Sequence, residues 1–150
     1  MIREILFRGK SVESGEWVYG GLVVDNGRAH IVRQITQHIK RDDYECYAIN
    51  VEPETIGQFT GLIDKNGKKI FEGDILNFAD TSQPHNAVVE FNTEDVASCG
   101  CCYSAFEGSG FVGKVLPGSK YDYSCFSDDF KESEIVGNIF DNPDLAVKND

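Results

Sequence analysis

The sequence contains no apolar run approaching the roughly 20 residues of a membrane-spanning helix, so it offers no helical anchor. Its opening, Met1-Ile2-Arg3-Glu4-Ile5-Leu6-Phe7-Arg8, lacks a secretory h-region, because charges break the apolar stretch within a few residues. The expectation is a cytoplasmic protein. Basic residues are scarce, with 14 Lys and Arg against 25 Asp and Glu and a formal net charge of −11 at pH 7. Such a surface repels phosphate backbones, so direct nucleic-acid binding is not expected. There is no Gly-x-Ser-x-Gly elbow, no Walker phosphate loop and no Gly-x-Gly-x-x-Gly that follows a strand and opens a helix. Gly108-Ser109-Gly110-Phe111-Val112-Gly113 is only loosely like a phosphate loop: it lacks the Lys-Ser/Thr ending, and Pro117-Gly118 follows where a helix would be needed. No local signature supports a Cys-His hydrolase around His30, His38 or His85. Internal repeats, low-complexity stretches and long helical periods are also missing.

What is present reads as a folded β-rich chain. The 150 residues are 41 % hydrophobic and 26 % charged, the balance of a globular domain. A chain of this size buries about 70 % of the surface it exposes when unfolded, enough for a core without metals or disulfides. Residues 1–150 are therefore expected to form one domain. Charge is unevenly spread: residues 1–41 carry seven basic and four acidic residues, a balance of +3, and the rest carries −14. Either the two parts neutralise each other, or an acidic face meets a basic partner and a basic patch remains elsewhere.

Five cysteines, Cys46, Cys99, Cys101, Cys102 and Cys125, make an odd count that suits reduced thiols. Cys99, Cys101, Cys102 and Cys125 are the candidate metal ligands. Zinc sites, however, use two pairs of ligands spaced by turns, and here Cys101 and Cys102 are adjacent with no second Cys-x-x-Cys. Small, partly buried loop residues are the favoured reading, and neither metal nor cofactor is expected. The carboxylate doublets Asp42-Asp43, Glu94-Asp95 and Asp128-Asp129 read as solvated charges, because adjacent strand residues point to opposite faces.

Short alternating segments separated by turn chemistry predict strands at Ile2–Phe7, Glu16–Val24, Ala29–Thr36, Tyr44–Val51, Ile56–Thr60, Lys69–Glu72, Ile75–Phe78, Ala87–Phe91 and Glu134–Phe140. Asn26-Gly27 predicts a type I′ hairpin turn, and Asn66-Gly67 predicts a second turn that sets register. The Gly20-Gly21 pair marks a bulge or a close backbone approach. Residues 92–120 read either as a loop or as two short strands, Ser104–Phe106 and Phe111–Leu116. Tyr121–Phe126 could be extended, and Pro143–Val147 predicts one helical turn.

Two stretches carry more than pattern. The run from Thr55 to Ile75, Thr-Ile-Gly-Gln-Phe-Thr-Gly-Leu-Ile-Asp-Lys-Asn-Gly-Lys-Lys-Ile-Phe-Glu-Gly-Asp-Ile, closely resembles the central signature of the YopX family of phage and prophage proteins. Glu134-Ile135-Val136-Gly137-Asn138-Ile139-Phe140-Asp141-Asn142-Pro143-Asp144-Leu145 resembles that family's closing motif. Arg3–Lys10 and Trp17-Val18-Tyr19-Gly20 fit its start. A segment of about residues 79–131 departs, as a variable insert. The resemblance implies a mainly β, multi-sheet fold with mixed β-sandwich and small-barrel, SH3-like features and few short helices. It also implies a phage or prophage origin, a bacterial host cytoplasm and self-association. It brings no reaction and no catalytic residues.

The signature residues Gly57, Gln58, Thr60, Gly61, Asp64, Gly67, Glu72, Gly73, Asp74, Gly137, Asn138 and Pro143 read mainly as geometry. Gly73 supplies an unusual φ, and Asp74 accepts from backbone amides at a strand start. Gly137 and Asn138 suggest a bulge. Alternatively Gln58, Thr60, Asp64, Glu72 and Asp74 line a groove. Without a catalytic set, the leading functional reading is a non-enzymatic protein-binding or regulatory factor with a host or phage protein as partner, and a homo-oligomer. Tyr103, Phe106, Phe111, Tyr121 and Tyr123 are its interface candidates. The alternatives are an acidic DNA mimic that inhibits a host nucleic-acid-binding protein, and a small metal-binding protein or hydrolase using Cys or carboxylate residues.

Overall fold

The computed structural model describes residues 4–38, 43–79, 84–93, 110–116 and 124–146. It is mainly β, with two antiparallel sheets and one short α-helix. The strands are β1 (Phe7–Lys10), β2 (Trp17–Asp25), β3 (Arg28–His38), β4 (Asp43–Val51), β5 (Gly57–Ile63), β6 (Lys69–Phe71), β7 (Asp74–Asn77), β8 (Asn86–Asn92), β9 (Gly110–Val115), β10 (Ser124–Phe126) and β11 (Glu134–Asn138); the helix is α1 (Pro143–Ala146). Strand orders are β4-β3-β2-β1-β5-β6 and β10-β9-β8-β7-β11. No helix among the described residues is long and apolar enough to cross a membrane. The chain divides into two compact units, Met1–Phe59 and Thr60–Asp150, with the boundary inside β5.

In the first unit, alternation along β2, β3 and β4 decides which face is buried. The rows Leu22–Ile31–Ile49 and Val24–Ala29–Val51 run across the three strands. Val18, Ala29, Ile31 and Val51 form the core, with half-buried Phe7, Leu22, Ile49 and Ile56 against it. The β2–β3 hairpin turns at Asn26 (φ 47°) and Gly27 (φ 76°), the two positive φ values of a type I′ turn. The expected close approach falls at Gly20, where an added Cβ would meet the Val32 carbonyl. The segment after β1 then reaches β4: Ser11 bridges Val51, Val12 N donates to Asn50 O at 3.0 Å, and Glu52 N donates to Lys10 O at 2.9 Å. These bonds close β4 at its C-terminal end.

Of the expected Ile2–Phe7 strand, Glu4 to Leu6 are not in a strand, β1 starts at Phe7, and Ile2 and Arg3 lie outside the described residues. Pairing explains the shift. Phe7 to Lys10 match Gly20 to Trp17 on β2, and Phe7 and Arg8 also match Gln58 and Gly57 on β5. Two ladders outweigh the poor strand propensity of Gly9.

In the second unit, Ile70, Leu76, Phe78, Ala87, Val89, Val115 and Phe130 make the core, with Leu62, Phe111 and Ile135 packed on it. Each large side chain buried there contributes about 1.5–3 kcal/mol relative to exposure. Residues 79–131, expected to be a variable insert, contain β8, β9 and β10, and with them Ala87, Val89, Val115 and Phe130 of this core. Of the two readings for 92–120, a strand at 110–115 is found; Ser104–Phe106 lies outside the described residues. Two 3-10 helices, Pro53–Thr55 and Ser127–Glu132, were not anticipated. Both are too short to leave an amphipathic period. Of the charged stretch His38–Asp43, which reads as a short helix or a loop, His38 and Asp43 pair at the ends of β3 and β4, and residues 39–42 lie outside the described residues.

Candidate functional site

The signature residues are built into backbone geometry. The β5–β6 hairpin is organised by Asp64, which is 3 % exposed. Its Oδ1 accepts the amides of Asn66 and Lys68, both at 2.9 Å, and its Oδ2 accepts the amide of Ile135 at 3.1 Å. Gly67 N donates to Asp64 O at 3.0 Å, and Asp64 N to Lys68 O at 2.9 Å. Only Gly67 (φ 81°) is left-handed here. The loop is therefore a tight turn closed by a left-handed glycine, not a second two-residue type I′ turn. Burial alone pushes the Asp64 carboxyl up. The amide hydrogen bonds from Lys68, Ile135 and Asn66, with the Lys68 charge, outweigh this and hold its pKa below the ordinary Asp value.

The next corner repeats the device. Asp74 Oδ2 accepts the Phe71 amide at 2.8 Å, as expected of an Asp at a strand start. Gly73 takes φ 84°. Its amide donates to Val89 O at 2.9 Å, and its carbonyl accepts from Ile139 N at 3.0 Å. An added Cβ would lie 3.2 Å from the Phe140 ring. The closing motif thus seats on the signature at this glycine. Thr60 Oγ1 donates to Ile70 O at 2.9 Å and accepts from Leu62 N at 3.1 Å.

Gly57 is buried at the start of β5, Gln58 and Glu72 are half-buried, and Gly61 is exposed with φ 88°. The expected bulge falls between Ile135 and Gly137. Asn138 Oδ1 accepts the amides of Phe140 at 3.0 Å and Asp141 at 2.9 Å, which ends β11. Pro143 opens α1. Thr60 Oγ1, both Asp64 carboxylate oxygens and Asp74 Oδ2 bond backbone groups inside the fold.

Cys99, Cys101 and Cys102 lie outside the described residues, as do Tyr103, Phe106, Tyr121 and Tyr123. Cys125 sits in β10 opposite Gly113. Among the described residues no cluster of three or more His, Cys, Asp or Glu could hold a metal ion. Phe111 is half-buried, packs on the second core and meets the Phe91 ring edge-on at 5.2 Å. It is a core side chain in part, not a free anchor.

A family model described as YopX protein matches residues 6–146. The chain belongs to the YopX family. A comparison with curated proteins finds no match. In this YopX chain the hydrogen bonds of Thr60, Asp64 and Asp74 described above go to backbone groups of the β5–β7 corner and, from Asp64, to Ile135.

One surface was missed in the sequence. It is the face of the first unit's sheet opposite its core. The rows Gly21–Val32–Ala48 and Val23–His30–Asn50 cross β2, β3 and β4, and Tyr19 continues the line along β2. Tyr19 is 45 % and Val23 50 % exposed; Gly21, Ala48 and Asn50 are exposed, and His30 and Val32 half-buried. None of these seven residues carries a formal charge at neutral pH, in a chain where 26 % of residues are charged. Charge returns at both ends of the same face. Asp25 pairs with Arg28 at the hairpin end. At the other end Arg8 pairs with Tyr19 and Lys10 with Trp17. The Arg8 guanidinium lies 4.6 Å from the Trp17 ring centre and the Lys10 ammonium 5.7 Å from it, both within cation–π range. The middle of this face is uncharged but mixed in polarity, Arg8 is itself buried, and half-buried Lys10 and exposed Asp25 and Arg28 mark its ends. Depletion of charge around an aromatic is a feature of protein interfaces. The period-2 signal was legible in β2, but its outward set became visible only once three strands were in register.

Proposed function

We propose that this YopX-family chain is a non-enzymatic protein-binding factor of phage or prophage type. It acts in the host cytosol on a host or phage protein. The observation that carries this reading is the uncharged face of Tyr19, Gly21, Val23, His30, Val32, Ala48 and Asn50 between charged ends. Tyr19 serves as the aromatic anchor, because an exposed aromatic on a rigid strand buries much area at little cost in side-chain entropy. The absence of any catalytic sequence motif agrees with a binding role.

Beyond its closed end, no strand among the described residues pairs the outer edge of β4, which supports self-association as a second reading. Ser11 and Val12 close its C-terminal end, and Tyr47, 63 % exposed, stands further along it. No proline or lysine blunts the strand between Asp43 and Val51.

The test compares tagged wild type with Val23→Asp and with the control Val136→Asp, which alters another exposed valine. Sedimentation of each purified protein reports self-association. Capture from host lysate, read by mass spectrometry at low and high salt, reports partners. A stoichiometric partner retained by wild type and Val136→Asp but lost by Val23→Asp is the expected result. Equal capture by all three, or no partner for folded wild type, overturns it. A partner released only by salt, and indifferent to Val23→Asp, would favour the acidic DNA-mimic reading.

A further inference from the structure

The chain holds two Asn-Gly pairs, each followed by a basic residue: Asn26-Gly27-Arg28 and Asn66-Gly67-Lys68. In an unfolded chain these are near-equivalent targets for spontaneous deamidation. The backbone nitrogen of the glycine attacks the Asn side-chain Cγ, ammonia leaves, and a five-membered succinimide forms. Water then opens the ring to Asp or to isoaspartate. The reaction needs a free glycine N–H that can lose its proton, and an asparagine able to turn its side chain onto it.

The fold separates the two sites. Space does not distinguish them, because nothing lies within 4 Å of a Cβ built on either glycine. Hydrogen bonding does. The Gly67 amide donates to Asp64 O at 3.0 Å. The Asn66 amide is held by the Asp64 carboxylate at 2.9 Å, and the same carboxylate fixes Lys68 at 2.9 Å and Ile135 at 3.1 Å. The nitrogen that must become a nucleophile is engaged. A buried negative charge also sits beside it and opposes the negative charge it must acquire. At the β2–β3 hairpin no described residue accepts the Gly27 amide. Asn26 and Gly27 are both exposed at the tip of a two-residue loop.

We propose that Asn26 is a site of spontaneous deamidation in the folded protein, and that the Asp64 turn protects Asn66. The consequence is local and chemical. Isoaspartate at Asn26 adds a backbone methylene to the turn that sets the β2–β3 register, and either product adds one negative charge there.

The test is peptide mapping of the full chain after incubation at mildly alkaline pH, folded in buffer and unfolded in urea, following the gain of one mass unit and the isoaspartyl retention shift at each site. In urea the two sites should react at similar rates. In the folded protein Asn26 should react roughly fivefold faster than Asn66, about the factor that one net hydrogen bond confers. Asn26→Gln should remove the faster of the two modifications and leave the rate at Asn66 unchanged. Equal rates at the two sites in the folded protein, a faster Asn66, or no reaction at Asn26 over a period in which the unfolded chain reacts, would each overturn the proposal.

Discussion

The two units solve the same problem, a small β core, in different ways. The second is pinned by side chains to its own backbone. Asp64 ties Asn66, Lys68 and Ile135 together, Asp74 holds Phe71, and Gly73 receives the closing motif. The first depends more on apolar rows. Ile31 and its neighbours fill one face, and the middle of the other face carries no charge and is largely exposed. The difference teaches where to look for function. The densest family signature falls where the backbone turns most tightly, at Asp64–Lys68 and Gly73-Asp74, and the uncharged face lies on strands of which only β2 carries a piece of the family pattern, Trp17-Val18-Tyr19-Gly20.

The largest expected effect falls on the second unit. Asp64→Ala removes the acceptor of three amides. It should cost about 3–5 kcal/mol of stability, since each buried unsatisfied group costs about 1–3 kcal/mol and water repairs the exposed ones. Urea denaturation would measure it; a loss under about 1 kcal/mol would show that Asp64 is not the organiser of that turn.

Next comes the first unit. Ile31 is fully buried, and Ile31→Ala should cost about 3 kcal/mol through lost transfer energy and cavity. Hydrogen exchange should then show lost protection in β2–β4 before β7–β9. Simultaneous loss everywhere would mean the two units unfold together.

Gly73→Ala should cost about 2 kcal/mol, from a left-handed φ forbidden to alanine and the approach to Phe140. A thermal melt reads it directly.

Acid sensitivity sharpens the contrast further. The Asp64 pKa is lowered in the fold, so its stabilisation is present above the unfolded value near 3.8 and lost as pH falls through the lower folded value. Asp64→Asn should flatten that part of the stability–pH curve, whereas Ile31→Ala should displace the whole curve without changing its slope. The smallest effect is expected on the open face. Tyr19→Ser with Val23→Thr should change stability by about 0.5 kcal/mol or less while weakening partner capture; a large destabilisation would return these side chains to a structural role.

Much of this was legible in the chain. The type I′ turn at Asn26-Gly27, the Gly73-Asp74 corner and the bulge near Gly137 follow from residues whose local chemistry allows few conformations. Their energetics act within a few residues, so a linear reading captures them. Asp64 was legible only as a candidate for either role. Its turn partners are within four residues, but its third amide belongs to Ile135, 71 positions away. The displaced start of β1 has the same cause. Strand placement there depends on two distant partners, which local propensity does not see.

By itself the sequence determined the mainly β class, the punctuation of the strands and membership of the YopX family, because those rest on period, turn residues and a dense signature. Tertiary structure alone decided which face of β2, β3 and β4 stays open and brought the distant Ile135 amide onto the Asp64 carboxylate that also holds the Asn66-Gly67 turn. Both depend on which strands meet across the fold, and pairing at long range is set by the total of all contacts, not by any one segment's preference.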